Sequence, residues 1–178
     1  MSEGLAEFNQ LPANQAEALL LDCCGAPGWA RQMAAARPFT DVTALLRQAE
    51  QIWWSLTEQD WHAAFAAHPA IGARQAAPTQ QLQSANWSHA EQSGTHNADD
   101  AARAALDEAN RLYRDKFGYI FIVCATGKSA EEMLGLCRQR LGHEAAAELR
   151  QAAEEQRKIT EIRLRKLLSA ITQKSNTL

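Results

Sequence analysis

No run of apolar residues in this chain approaches a membrane span. The longest is Ile120 to Ala125, far short of the roughly 20 residues a spanning helix needs. Basic charge is not in surplus either, with 18 Lys and Arg against 21 Asp and Glu and a net charge of -3. That balance supplies no field to gather nucleic acid. The four cysteines, Cys23, Cys24, Cys124 and Cys137, include no zinc spacing, because an adjacent pair is not Cys-x-x-Cys and no second such pair follows. They read as small apolar thiols of a reduced, cytoplasmic protein. The first ten residues lack a basic segment followed by an apolar one, and the final Ser-Asn-Thr-Leu is not a peroxisomal address.

What is present is helical periodicity. The chain has 178 residues, 46% hydrophobic and 22% charged, the composition and size of one ordinary globular domain. Leu19, Leu20 and Cys23 share a helical face that ends at Gly25 and Pro27. Pro27 suits the first turn of a second helix, which must stop before Pro38. Asp41 is placed to cap a third, and Thr57 with Asp60 forms an approximate capping box for a fourth, running to His68 and cut by Pro69. Residues Ala73 to Asn86 lose the period and read as a polar loop, a candidate lid. Helix resumes near Ser88, then again from Asp99 to Lys116, with Gly118 as its stop. Ser129 and Glu132 make a capping box for a helix ending at Gly142, and a long helix follows from Glu144. Tyr119 to Ala125 could be a strand but has no partner, so a buried helix start or an extended segment on the core is expected instead. The fold class is therefore all-α, a single-domain bundle of about seven to eight helices over residues 1–178, with loosely ordered ends at 1–6 and 172–178.

Four segments carry possible chemistry. His68 precedes a proline and so lies at or past a helix C-terminus, where the macrodipole favours a protonated imidazole. A plain C-capping histidine is the alternative. Ser88 and Glu91 are three apart and share one helical face, although Ser-x-x-Glu is also the form of a capping box. Phe121, Ile122, Val123, Cys124 and Ala125 can offer only backbone groups to a polar ligand, as amides at a helix start would, and are otherwise a core segment. Arg163 interrupts the apolar stripe of the final helix. Its guanidinium either faces inward toward a carboxylate or lies at the surface with its stem along the core.

Other signals fall away. Gly127-Lys128-Ser129 lacks the upstream glycine of a phosphate-binding loop, since that position is Ile122. His62 and His68 are about 240° apart around a helix and share no metal-binding face, and no metal is expected. Trp53 and Trp54 read as core and rim.

The joint pattern is more specific than any of its parts. The elements His68-Pro69-x-Ile71-Gly72, Ser88-x-x-Glu91-Gln92-x-Gly94, Phe117-Gly118-x-x-Phe121-Ile122 and Ile159-x-x-Ile162-Arg163-Leu164, with Phe8 and Arg37-Pro38-Phe39 upstream, occur in a fixed order. In that order they resemble the 2-oxo-4-hydroxy-4-carboxy-5-ureidoimidazoline (OHCU) decarboxylase family, from about Phe8 to Leu168. The resemblance implies a helical, cofactor-free enzyme of uric acid degradation, often a homodimer, that converts OHCU to (S)-allantoin. It implies that His68 is the catalytic acid/base and Glu91 its partner. Pro69, Ser88, Gln92 and main-chain groups of Phe121 to Ala125 would line the substrate site, and Arg163 would hold an anionic or carbonyl edge of the substrate. Ala70 departs from the family, where many members carry a charge, as does Ile120, where some carry proline. Two rivals remain: a non-catalytic helical interaction module, and a metal-dependent hydrolase with histidine ligands. The expected partner is a small-molecule substrate, with no nucleic acid and no membrane.

Overall fold

A computed structural model describes residues 2–71, 82–95 and 100–175. Every regular element among them is helical: nine α-helices and one 3₁₀ turn, with no strand. The all-α class holds, and the helix number exceeds the seven to eight expected. The chain divides into two compact units, one comprising Met1–Ala63 with Arg157–Leu178, the other Ala64–Gln156.

The first unit contains α1 (Glu3–Gln10), α2 (Ala13–Cys23), α3 (Pro27–Ala35), α4 (Val42–Ser55) and most of α5 (Glu58–Ala66), with the C-terminal part of α9 (Ala145–Ser175). The punctuation acts as its chemistry requires. Pro27 opens α3, and the Asp41 carboxylate accepts the Ala44 N–H at 2.8 Å to cap α4. Thr57 and Asp60 bond reciprocally at the start of α5. Helix α1 is the extra element, and α9 continues to Ser175, so the ends expected to be loose are helical from Glu3 and as far as Ser175. Periodicity missed α1 because eight residues with two core positions, Leu5 and Phe8, barely define a stripe. Its fixing is tertiary. Arg37 donates to the carbonyls of Phe8 and Leu11 at 2.8 Å each and to Ala34 at 3.0 Å, closing the C-terminal ends of α1 and α3. Asn9 and the Phe39 backbone exchange two further bonds. Helix C-termini leave carbonyls without intrahelical partners, and one guanidinium serves several of them.

The second unit contains α6 (Leu82–Glu91), the 3₁₀ turn Ser93–Thr95, α7 (Asp100–Phe117), α8 (Ala130–Arg140) and the N-terminal part of α9. Gly118, at φ +80°, ends α7, and Ser129 with Glu132 forms the complete capping box of α8. Leu82 to Asn86 are helical and not loop, while residues 73–81, the remainder of the candidate lid, lie outside the described residues. The buried described side chains of α6 are Ser88 and Glu91, and hydrophobic periodicity cannot register a buried pair that is polar.

Between α7 and α8 the chain runs without regular structure over Tyr119 to Ala125. It stops short of α8, so its amides do not form a helix start, and it runs as an irregular segment on the core. Phe121 and Val123 join Ile71, Leu106, Tyr113 and Met133 in the unit's core. A buried segment outside any ladder must satisfy its polar groups individually. Arg140 Nη1 donates to the Ile122 carbonyl at 2.7 Å, and Lys128 Nζ donates to the Cys124 carbonyl at 2.7 Å. Arg140 is itself buried and neutralised by Glu148, which is wholly inaccessible to solvent. Glu148 also accepts from Tyr113 Oη and bonds His143 Nδ1 at 2.7 Å. Burial, then the bond to Glu148, push the Tyr113 hydroxyl far above its ordinary pKa. Removing one member of a buried ion pair leaves the other charge uncompensated. Glu148→Leu is therefore expected to cost about 3–5 kcal/mol in urea unfolding at neutral pH, and Arg140→Met in the same chain should recover part of the loss.

Candidate active site

His68 sits in a turn that its neighbours hold from both sides. Helix α5 ends at Ala66, and the His68 N–H still donates to the Phe65 carbonyl at 3.1 Å before Pro69 forbids further helix. Phe65 is buried and stacks on Tyr119 with centroids 5.3 Å apart. On the far side Ile71 enters the core, and its carbonyl accepts from Asn110 Nδ2 on α7 at 3.1 Å. The half-buried imidazole is thus fixed between two anchored residues. Its Nε2 lies 2.8 Å from Gln156 Oε1 on α9. The simple capping reading placed no such partner on the ring.

Ser88 and Glu91 lie on the inward face of α6, one helical step apart, with Gln92 half-buried just beyond the helix. Ser88 is interior to the helix, so the Ser-x-x-Glu pair is not a capping box. Gly94 explains the spacing that follows. A Cβ there would collide with the Lys128 carbonyl oxygen, so only glycine lets the 3₁₀ turn close on the Thr126–Ser129 turn. That approach puts Glu91 near enough to Cys124 to influence its thiol. Burial chiefly raises the Cys124 pKa, with Glu155 and Glu91 adding to the rise and Lys128 opposing it.

The main chain of Phe121 to Ala125 has fewer open groups than the sequence suggested. Arg140 and Lys128 take the Ile122 and Cys124 carbonyls, and the Cys124 N–H donates to Glu155 Oε2 at 2.8 Å. A substrate oxygen seeking that amide would have to displace a carboxylate. His68, Pro69, Ser88, Glu91, Gln92 and Phe121 to Ala125 all belong to the second unit. Arg163 belongs to the first. It faces inward, 3% exposed, with Nη1 3.4 Å from the Asp22 carbonyl and its charge beside the buried Cys24 thiol. The surface alternative for Arg163 is wrong.

None of the expected site residues lines the groove of about 320 Å³ in the first unit, which runs along α4 and α9 past Trp53, Thr160 and Leu164. Two of its three arginines are engaged with its own carboxylates, Arg165 with Glu161 at 3.0 Å and Arg157 with Glu50 at 3.7 Å. Among the described residues no helix is long and apolar enough to cross a membrane.

A family model described as OHCU decarboxylase matches residues 9–165. The chain belongs to the OHCU decarboxylase family. It is 41% identical over 149 residues to the uric acid degradation bifunctional protein TTL of Arabidopsis thaliana, covering 83% of this chain and 45% of that protein. It is 39% identical over 72 residues to the 2-oxo-4-hydroxy-4-carboxy-5-ureidoimidazoline decarboxylase of Amia calva, covering 40% of each. The chain thus spans less than half the length of these two relatives. A crystal structure of OHCU decarboxylase in the presence of (S)-allantoin superposes with a TM-score of 0.72 at 38% identity, over 84% of this chain and 96% of that one.

In this family member, two residues near the expected site escaped the sequence reading. Glu155 and Gln156 are consecutive, buried at 7% and 0% exposure, and reach Cys124 and His68 respectively. Their signal was hidden because they sit in a Glu- and Arg-rich stretch that reads as a solvated face. Cys24 beside Arg163 gives a direct check of burial in the other unit. Burial pushes its thiol from about 9 up to about 11, against the Ala26 backbone, the Thr160 side chain and Arg163. A folded-state value above the unfolded one stabilises below the unfolded value, and that contribution disappears as pH rises through the folded one. Urea midpoints should therefore fall between about pH 9 and about pH 11, with a shallower fall in Cys24→Ala. A midpoint flat across that window would contradict the burial.

Proposed function

We propose that this chain decarboxylates OHCU to (S)-allantoin without a cofactor, with His68 and Glu91 as its acid–base pair. The observation that carries the reading is the burial of Ser88 and Glu91 together on α6. A helix that buries a serine and a glutamate in place of apolar side chains forgoes packing energy, and a substrate site gives that loss a reason. A non-catalytic helical module has no use for it. The two named relatives and the crystal structure of OHCU decarboxylase in the presence of (S)-allantoin support the substrate class.

The chemistry asks little of the protein. Breaking the bond from ring carbon to carboxylate releases carbon dioxide and leaves an electron pair, which the ring imine can accept, so no external electron sink is needed. One proton then adds to the ring, and the balance is substrate carboxylate plus proton giving allantoin plus carbon dioxide. His68, with Glu91, orients the departing carboxylate and delivers that proton to one face. Ser88, Gln92, Pro69 and main-chain groups of Phe121 to Ala125 hold the ring, and Arg163 holds an anionic or carbonyl edge. Residues 1–178 act as one catalytic domain, a reading supported by a family match that runs through both units. The homodimeric state and cytoplasmic setting belong to the same proposal and rest on the family resemblance and on four free cysteines.

Stereochemistry is the decisive test, because uncatalysed protonation of a planar intermediate has no facial preference. Freshly generated substrate should give optically active allantoin with this protein and racemic product with His68→Ala, whose turnover should drop about 10²–10⁴-fold. Full activity in both His68→Ala and Glu91→Ala would end the assignment. Arg163→Ala should chiefly raise KM for OHCU, and an unchanged KM would remove Arg163 from the substrate site.

A further inference from the structure

The geometry points to Gln156 as the positioning residue that holds a proton on Nε2 of His68, so that the proton exchanged during turnover is the one on Nδ1. The inference rests on the reading of His68 as the acid/base. Its basis is the 2.8 Å contact between His68 Nε2 and Gln156 Oε1, in a side chain with no solvent exposure. A carboxamide oxygen can only accept, so the imidazole nitrogen facing it must carry hydrogen. This holds for the neutral ring and for the imidazolium alike. Only Nδ1 then changes its protonation, whatever else it touches. Which ring nitrogen reacts is set by the bond the other one makes, and here that bond comes from an element remote in sequence.

Two features favour this role over incidental core packing. Burying a glutamine completely is costly unless its polar atoms are matched, and its partner is a ring that the rest of the turn already immobilises through Phe65, Ile71 and Asn110. The acceptor is also neutral. An amide fixes the place of the proton without adding charge, whereas a glutamate at the same position would stabilise the imidazolium and retard proton release. Glu155, one residue earlier, holds the Cys124 amide, so consecutive side chains of α9 brace two segments of the proposed site.

The test combines spectroscopy with kinetics on the full-length protein. Long-range ¹⁵N–¹H correlation, with the His68 signal assigned by its loss in His68→Gln, should show the neutral ring as the Nε2–H tautomer. Gln156→Leu should mix the tautomers and lower kcat roughly 10–100-fold, the usual effect of losing an orienting partner, with little change in KM. Gln156→Glu should retain Nε2–H and move the pH limb belonging to His68 to higher pH. A neutral His68 protonated on Nδ1 overturns the inference, as does a Gln156→Leu protein with unaltered tautomer and kcat. If Gln156→Leu does not fold, the unsubstituted protein's tautomer and the Gln156→Glu profile still decide. Should His68→Gln turn over OHCU normally, the acid–base reading fails while the tautomer result stands by itself, so the two failures are distinct.

Discussion

The second unit depends on a carboxylate with no access to water. Glu148 neutralises Arg140, accepts from Tyr113 and bonds His143, and Arg140 in turn grips the Ile122 carbonyl. Without that grip the Tyr119–Ala125 segment would bury main-chain oxygens in an apolar core with no ladder to answer them. Sheet proteins solve this problem with neighbouring strands. This helical unit answers two of the carbonyls with long cationic side chains, Arg140 for Ile122 and Lys128 for Cys124. The arginine also lies over the Phe121 ring, 4.7 Å from its centroid, so the same residue braces the segment's side chain and backbone.

The first unit uses the same device in milder form. Arg37 closes two helix ends, and the Arg37-Pro38-Phe39 and Phe8 elements that helped mark the family prove to be part of this clasp, with Arg37 5.6 Å above the Phe8 ring. A sequence signature can thus mix residues of chemistry with residues of architecture. His68 and Ile71 show the mixture within a single motif: one offers an imidazole, and the other is the plug that keeps it in place.

Legibility followed the physics of each signal. Caps and stops act locally, through groups three or four residues apart, and Asp41, Thr57 with Asp60, Gly118, and Ser129 with Glu132 were all visible before any coordinates. The extent of α6 was not, because its described buried side chains, Ser88 and Glu91, are polar, nor was α1, whose order comes from Arg37. Glu148, Glu155 and Gln156 were invisible for a further reason. On a helix dense in charge, an inward glutamate has the same local sequence as an outward one, and only its distant partner distinguishes them. The candidate catalytic groups themselves were legible through the family pattern, while the residues that orient them were not.

The close approach at Gly94 has a consequence for how this scaffold can be altered. Its constraint is imposed by the Lys128 carbonyl, more than thirty positions away, so position 94 and the turn before α8 form one unit of exchange. A chimera that imports the α6 segment from another family member must import the matching turn as well, or the two backbones will be forced apart at that contact.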